Sequence, residues 1–150
     1  MKEYEQYRKK YGLPSFEELD AEFDLSGLEV KEFLVRDVKK KIVEKLVHTT
    51  EFVEGILQSD TAVMHIYESA AFTDSDRKAV FELYKKLAYF ERYALETVIK
   101  AEEPLDAKFI KDFYAEWKIL KKEAARIVQK TKDFWSSVKE TKNERKEYMG

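Results

Sequence analysis

Apolar side chains recur along this chain at every third or fourth position, never in the strict alternation of a strand. Tyr4, Tyr7 and Tyr11 make one helical stripe over residues 2–11, which Gly12 ends. Pro14 and Ser15 open a second short helix. Ser15 and Glu18 have capping-box spacing, and Phe16, Leu19 and Phe23 form its apolar stripe. The break at Leu25-Ser26-Gly27 precedes a long helix predicted from about Val30 to about Gln58. Leu34, Val35, Val38, Ile42, Leu46, Thr49, Phe52, Val53, Ile56 and Leu57 share one broad face of it. Gly55 weakens its last turn.

Ser59-Asp60 is expected to cap a shorter helix over residues 61–72, with Ala62, Val63, Ile66, Tyr67 and Ala70 inward. Thr73 and Asp76 stand at capping-box distance before a second long helix that reaches about Glu102. Its expected core stripe is Val80, Leu83, Tyr84, Leu87, Ala88, Ala94, Leu95, Val98 and Ile99. Pro104 stops it, and Asp106 is expected to cap a last helix running to about Lys139. Phe109, Ile110, Phe113, Trp117, Leu120, Ala124, Ile127, Val128, Thr131, Trp135 and Val138 would face inward there. The predicted fold is all-α: an antiparallel helical bundle of three long helices, with one shorter helix and two short N-terminal helices closing its open sides. It forms one domain over residues 1–140, with a polar C-terminal tail over 141–150.

Composition narrows the chemistry more than it suggests any. The net charge of −2 exerts no global pull toward nucleic acid or an anionic membrane. No apolar run approaches the roughly 20 residues of a membrane span, and the opening MKEYEQYRKKYG lacks a signal-peptide core. A cytoplasmic protein is the expectation. Absence of cysteine removes disulfides, thiolate metal ligands and thiol nucleophiles together. Charge carried mainly by Lys and Glu, with only Gln6, Gln58, Gln129 and Asn143 as side-chain amides, is the bias of heat-adapted proteins.

The stretch YRKKYGLPSFEELDAEFDLS, the charged helix VRDVKKKIVEKL and the later FELYKKLAYFERYALE together resemble a group of small all-helical archaeal proteins. The resemblance implies an archaeal, cytoplasmic helical protein. Its motifs are caps and packing patterns, so it carries over no functional residue.

No cofactor or catalytic motif stands out. A di-iron bundle needs two Glu-x-x-His pairs; here the order is reversed, as His48 with Glu51 and His65 with Glu68. Helical phase puts His65 and Glu68 opposite Ala62, Ile66 and Ala70, hence in solvent, so no metal site is expected. Two charges fall on apolar stripes: Lys45 and Glu91. They would form a buried ion pair, line a small polar pocket, or escape separately, with Lys45 snorkelling and Glu91 at an open end. The last helix has a basic face at Lys118, Lys122 and Arg126, but Trp117 and Trp135 share the apolar phase rather than that face.

Apolar residues on outward faces are more informative. Val43 and Val47, Tyr89 and Tyr93, and Ile119 all lie off the main stripes of their helices. The N-terminal stripes are one candidate cover for Val43 and Val47. A second copy of the chain, or a helical protein partner, is the other cover for this set. The expected function is therefore a non-enzymatic interaction or adaptor module that self-associates. A nucleic-acid-associated protein using the basic face is the alternative.

Overall fold

The computed structural model describes residues 2–29, 32–58, 60 and 62–149, with side chains described as far as Val138. Six helices follow in order: α1 (Lys2–Tyr11), α2 (Phe16–Phe23), α3 (Leu34–Leu57), α4 (Val63–Ser69), α5 (Asp74–Lys100) and α6 (Glu103–Met149). No strand occurs among the described residues. The bundle is all-α.

The caps sit where the side chains provide them. Ser15 accepts from the Glu18 N–H. Thr73 accepts from the Asp76 N–H at 3.1 Å while Asp76 accepts from the Thr73 N–H at 2.9 Å, so aspartate completes the box usually closed by glutamate. Gly12 leaves α1 at φ +66°, where a β-carbon would be strained, and its N–H closes onto the Arg8 carbonyl. Pro104 falls in the first turn of α6, where a missing N–H costs nothing, so it opens that helix as well as ending the one before.

α3, α5 and α6 form the antiparallel frame. At about 1.5 Å per residue, α5 spans about 40 Å and α6 about 70 Å. One end of the frame is fixed by Lys39, buried on α3, whose Nζ donates to Thr97 Oγ1 of α5 and Asp106 Oδ1 of α6, each at 2.8 Å. At the other end Lys130 of α6 reaches Asp76 at the start of α5, at 2.6 Å. Between them lies an aromatic spine in which Phe90 and Phe109 pack on Phe113, and Phe113 in turn on Trp117.

The N-terminal pair fills the seam between α3 and α6. Tyr4 is fully buried, with its hydroxyl on the Pro14 carbonyl, and Tyr11 donates to Glu103. Phe23 packs on Phe113 and Trp117, while Glu22 accepts from Trp117 Nε1 and Lys121. The Lys121 contact, ahead of that from Trp117, holds the Glu22 carboxyl below its ordinary pKa.

Five expectations need correction. The long first frame helix begins at Leu34; Val30 lies outside the described residues. The cap assigned to Ser59-Asp60 falls partly on Ser59, also outside them, and α4 has Ala62 as its N-cap. α4 is turned over: Val63, Met64, Ile66 and Tyr67 face solvent, while Glu68 is buried and His65 half-buried. Leu95, Val98 and Ile99 are exposed, the core at that level of α5 being made by Ala94 and Thr97 instead. Finally, the backbone of α6 stays helical through Met149, so the tail over 141–149 continues the last helix.

A candidate interaction face and cleft along α5

α1 and α2 cover the α3–α6 seam, and α4 sits against α3 and α6. α5 therefore packs chiefly on its two frame neighbours, and its third side faces solvent. On that side stand Lys78, Glu82, Lys85, Tyr89, Arg92 and Glu96, all exposed. Their spacing alternates four and three residues, the repeat of a coiled-coil seam. Phe81 and Leu95, 48% and 47% exposed, share one flank of this face.

Three hollows follow the outer edge of the α5–α6 seam. At the α4 end lies the widest, a cleft of about 730 Å³. Phe72, Val80, Leu83 and Ile127 form its apolar base. Two ion pairs cross it: Lys130 with Asp76 at 2.6 Å and Lys86 with Glu123 at 3.9 Å. A shallower hollow follows beside Tyr89, Phe90 and Leu120, and another between Tyr93, Leu105 and Lys108.

Of the five off-stripe residues, the structure brings two onto this open side. Tyr89 is 63% exposed and Ile119 54%. The Lys86–Glu123 pair and the Tyr93–Asp112 hydrogen bond bracket them, so Ile119 of α6 lies level with Tyr89 of α5. Tyr93 is not available. Its hydroxyl donates to Asp112 at 2.8 Å and its ring packs on Phe90 and Phe109. Burial, then the Asp112 bond, pushes that phenol far above its ordinary pKa. Val43 and Val47 are half-buried, Val43 packed on the core. By phase they border α5, since Val47 lies one and two turns before Glu51 and Glu54, whose charges act on Glu91 of α5. The N-terminal helices are on the other side of α3.

The buried Lys45–Glu91 pair does not exist. Lys45 is exposed; its Nζ donates to the Glu22 carbonyl and lies over the Phe23 and Trp117 rings. It snorkels along α2. Glu91 is half-buried on α5, and burial raises its pKa, with the Glu54 and Glu51 charges adding to the effect. It lines none of the three hollows along α5. The buried pair is Lys39–Asp106, with Thr97 as third member. Lys39 was legible as a charge inside the stripe, one turn from Val35 and Ile42. Asp106 was masked by its resemblance to a helix cap.

Lys118, Lys122 and Arg126 are exposed on α6. Neither tryptophan serves that face: Trp117 is buried, and Trp135 Nε1 donates to Glu68. Among the described residues no cluster of His, Asp and Glu has the arrangement of a metal site, and no helix is long and apolar enough to cross a membrane. No protein-family model matches the chain, and no curated protein or solved structure matches it.

Proposed function

We propose that this protein is a non-enzymatic helical interaction module that self-associates, two copies pairing antiparallel across the outer faces of α5. One observation carries the reading: the outer face of α5 is complementary in charge to its own reverse. Read forward, it runs Lys78, Glu82, Lys85, Tyr89, Arg92, Glu96. Laid antiparallel on a second copy, with the two-fold axis at the level of Leu87, Lys78 meets Glu96 and Glu82 meets Arg92. Lys85 meets the Tyr89 ring, a cation–π pairing. A parallel, in-register dimer would instead set like charges against each other.

Apolar contact joins the charge pattern. In an antiparallel pair the same flanks meet, which brings Phe81 of one copy to Leu95 of the other. Tyr89 and Ile119 border the axis. The intramolecular Lys85–Glu82 pair is exposed and so costs little to exchange for an intermolecular one. An isologous interface of this kind closes as a dimer, and its charges set orientation more than affinity.

Charge exchange tests it. Light scattering at low salt should give a dimer for the wild type, weakened by rising salt. Glu82→Lys sets Lys against Arg92, and Arg92→Glu sets Glu against Glu82, so each variant should be monomeric. The double variant should dimerise again, and an equimolar mixture of the two single variants should form a heterodimer. A wild-type monomer, or single variants that dimerise unchanged, would overturn the reading. Excess absorbance at 260 nm in the purified protein would instead favour nucleic acid on the basic face of α6.

A further inference from the structure

The wide end of the α5–α6 cleft has a chemistry of its own, and of its lining residues only Glu82 also belongs to the pairing face. At about 730 Å³ it falls within the range of small-molecule sites. The base formed by Phe72, Val80, Leu83 and Ile127 offers no polar group to hold a hydrophilic ligand by its interior. The mouth is charged, but most of those charges are spoken for. Asp76 is held by Lys130 and Glu123 by Lys86, while Glu82 pairs with Lys85. Asp133 accepts from the Gln129 amide at 2.8 Å. Arg126 differs. It stands at the mouth between the two cross-seam ion pairs and has no hydrogen bond or ion pair among the described residues.

We infer that this cleft binds a small amphiphilic organic anion, with its apolar body on Phe72, Val80, Leu83 and Ile127 and its carboxylate on Arg126. A guanidinium matches a carboxylate with two parallel N–H donors, a geometry that an ammonium lacks. The apolar base supplies the area term and Arg126 selects charge, so a neutral analogue of equal length binds the base but gains nothing from the arginine.

The test uses the whole chain with decanoate and decanol as probes, both below their aggregation limits, followed by amide shifts in two-dimensional NMR. Saturable shifts should concentrate at Ala79, Leu83 and Ile127 with either probe. Arg126→Gln should weaken decanoate binding by about tenfold, the worth of a charge-assisted hydrogen bond, and leave decanol unchanged. Ala79→Trp should fill the mouth and abolish both. Shifts located elsewhere, no saturable binding, or decanoate binding indifferent to Arg126→Gln would each overturn the inference. Should Ala79→Trp lose helicity, Arg126→Gln, an exposed change, decides the matter alone. Light scattering on Arg126→Gln separates this site from the pairing face, since loss of the anion site leaves the dimer intact.

Discussion

Lys39 shows what a single residue does here. Its ammonium is buried between three helices and satisfied by Asp106 and Thr97, and among the described residues no buried side-chain polar atom lacks a partner. Such a pair fixes register, because only one alignment of α3, α5 and α6 brings the three groups together. It need not add net stability, since desolvating two charges offsets most of their attraction. The two effects separate by mutation. Lys39→Met alone leaves the Asp106 charge buried without its cation and should cost about 3–5 kcal/mol. Lys39→Met with Asp106→Leu should return to within about 2 kcal/mol of the wild type or exceed it. Thr97 stays satisfied in that background through its bond to the Ala94 carbonyl. Urea unfolding of the three proteins decides it; a single variant as stable as the wild type would refute the account.

At the scale of elements, α4 is where periodicity misleads. Its seven residues have an apolar stripe of the right spacing, yet the stripe faces solvent. Three contacts, two of them hydrogen bonds, outweigh it. The His65 ring lies on Gly55 of α3, Glu68 accepts from Trp135 Nε1 at 2.9 Å, and the Ser69 carbonyl accepts from Arg77 at 3.0 Å. A helix of two turns buries too little area for its stripe to decide orientation, whereas the stripes of α3, α5 and α6 are long enough to do so. Thus the three frame helices, the Thr73–Asp76 box and the docking of Trp117 were legible from spacing alone. The orientation of α4 was not, since it depends on contacts between residues far apart in sequence. For the same reason the outer heptad of α5 was present in the sequence but gained meaning only once α1 and α2 were seen to cover a different seam. Gly55 gives the test. A β-carbon there would come within 2.6 Å of the His65 ring, so Gly55→Ala should destabilise by about 1–2 kcal/mol despite alanine's better helix propensity. In a His65→Ala background the overlap is gone, and the same change should stabilise by up to about 1 kcal/mol. Additive effects of the two substitutions would show that the ring does not rest on Gly55.

Over the whole molecule, stability against acid depends on how the two ends of the α5–α6 seam are tied. The Lys39 end is buried. The other end relies on Asp76, half-exposed, which accepts from Lys130 and from the Thr73 N–H. These contacts, the Lys130 bond foremost, hold its carboxyl down from 3.8 to about 2. A carboxyl whose pKa is lowered on folding binds its proton more readily in the unfolded chain. Its contribution is therefore complete above pH 3.8 and disappears as pH falls toward 2. Asp76→Asn removes the titration while keeping an acceptor for the Thr73 N–H. The difference in Tm between wild type and this variant should then be constant from neutral pH down to about 4 and close to zero near pH 2. Because Lys130 and Asp76 both line the wide end of the cleft, the same protonation should loosen the seam first at that end. Amide exchange should rise in the first turns of α5 before it rises near Thr97. A Tm difference that persists undiminished to pH 2, or exchange that rises at both ends together, would mean that Asp76 does not hold the two helices together.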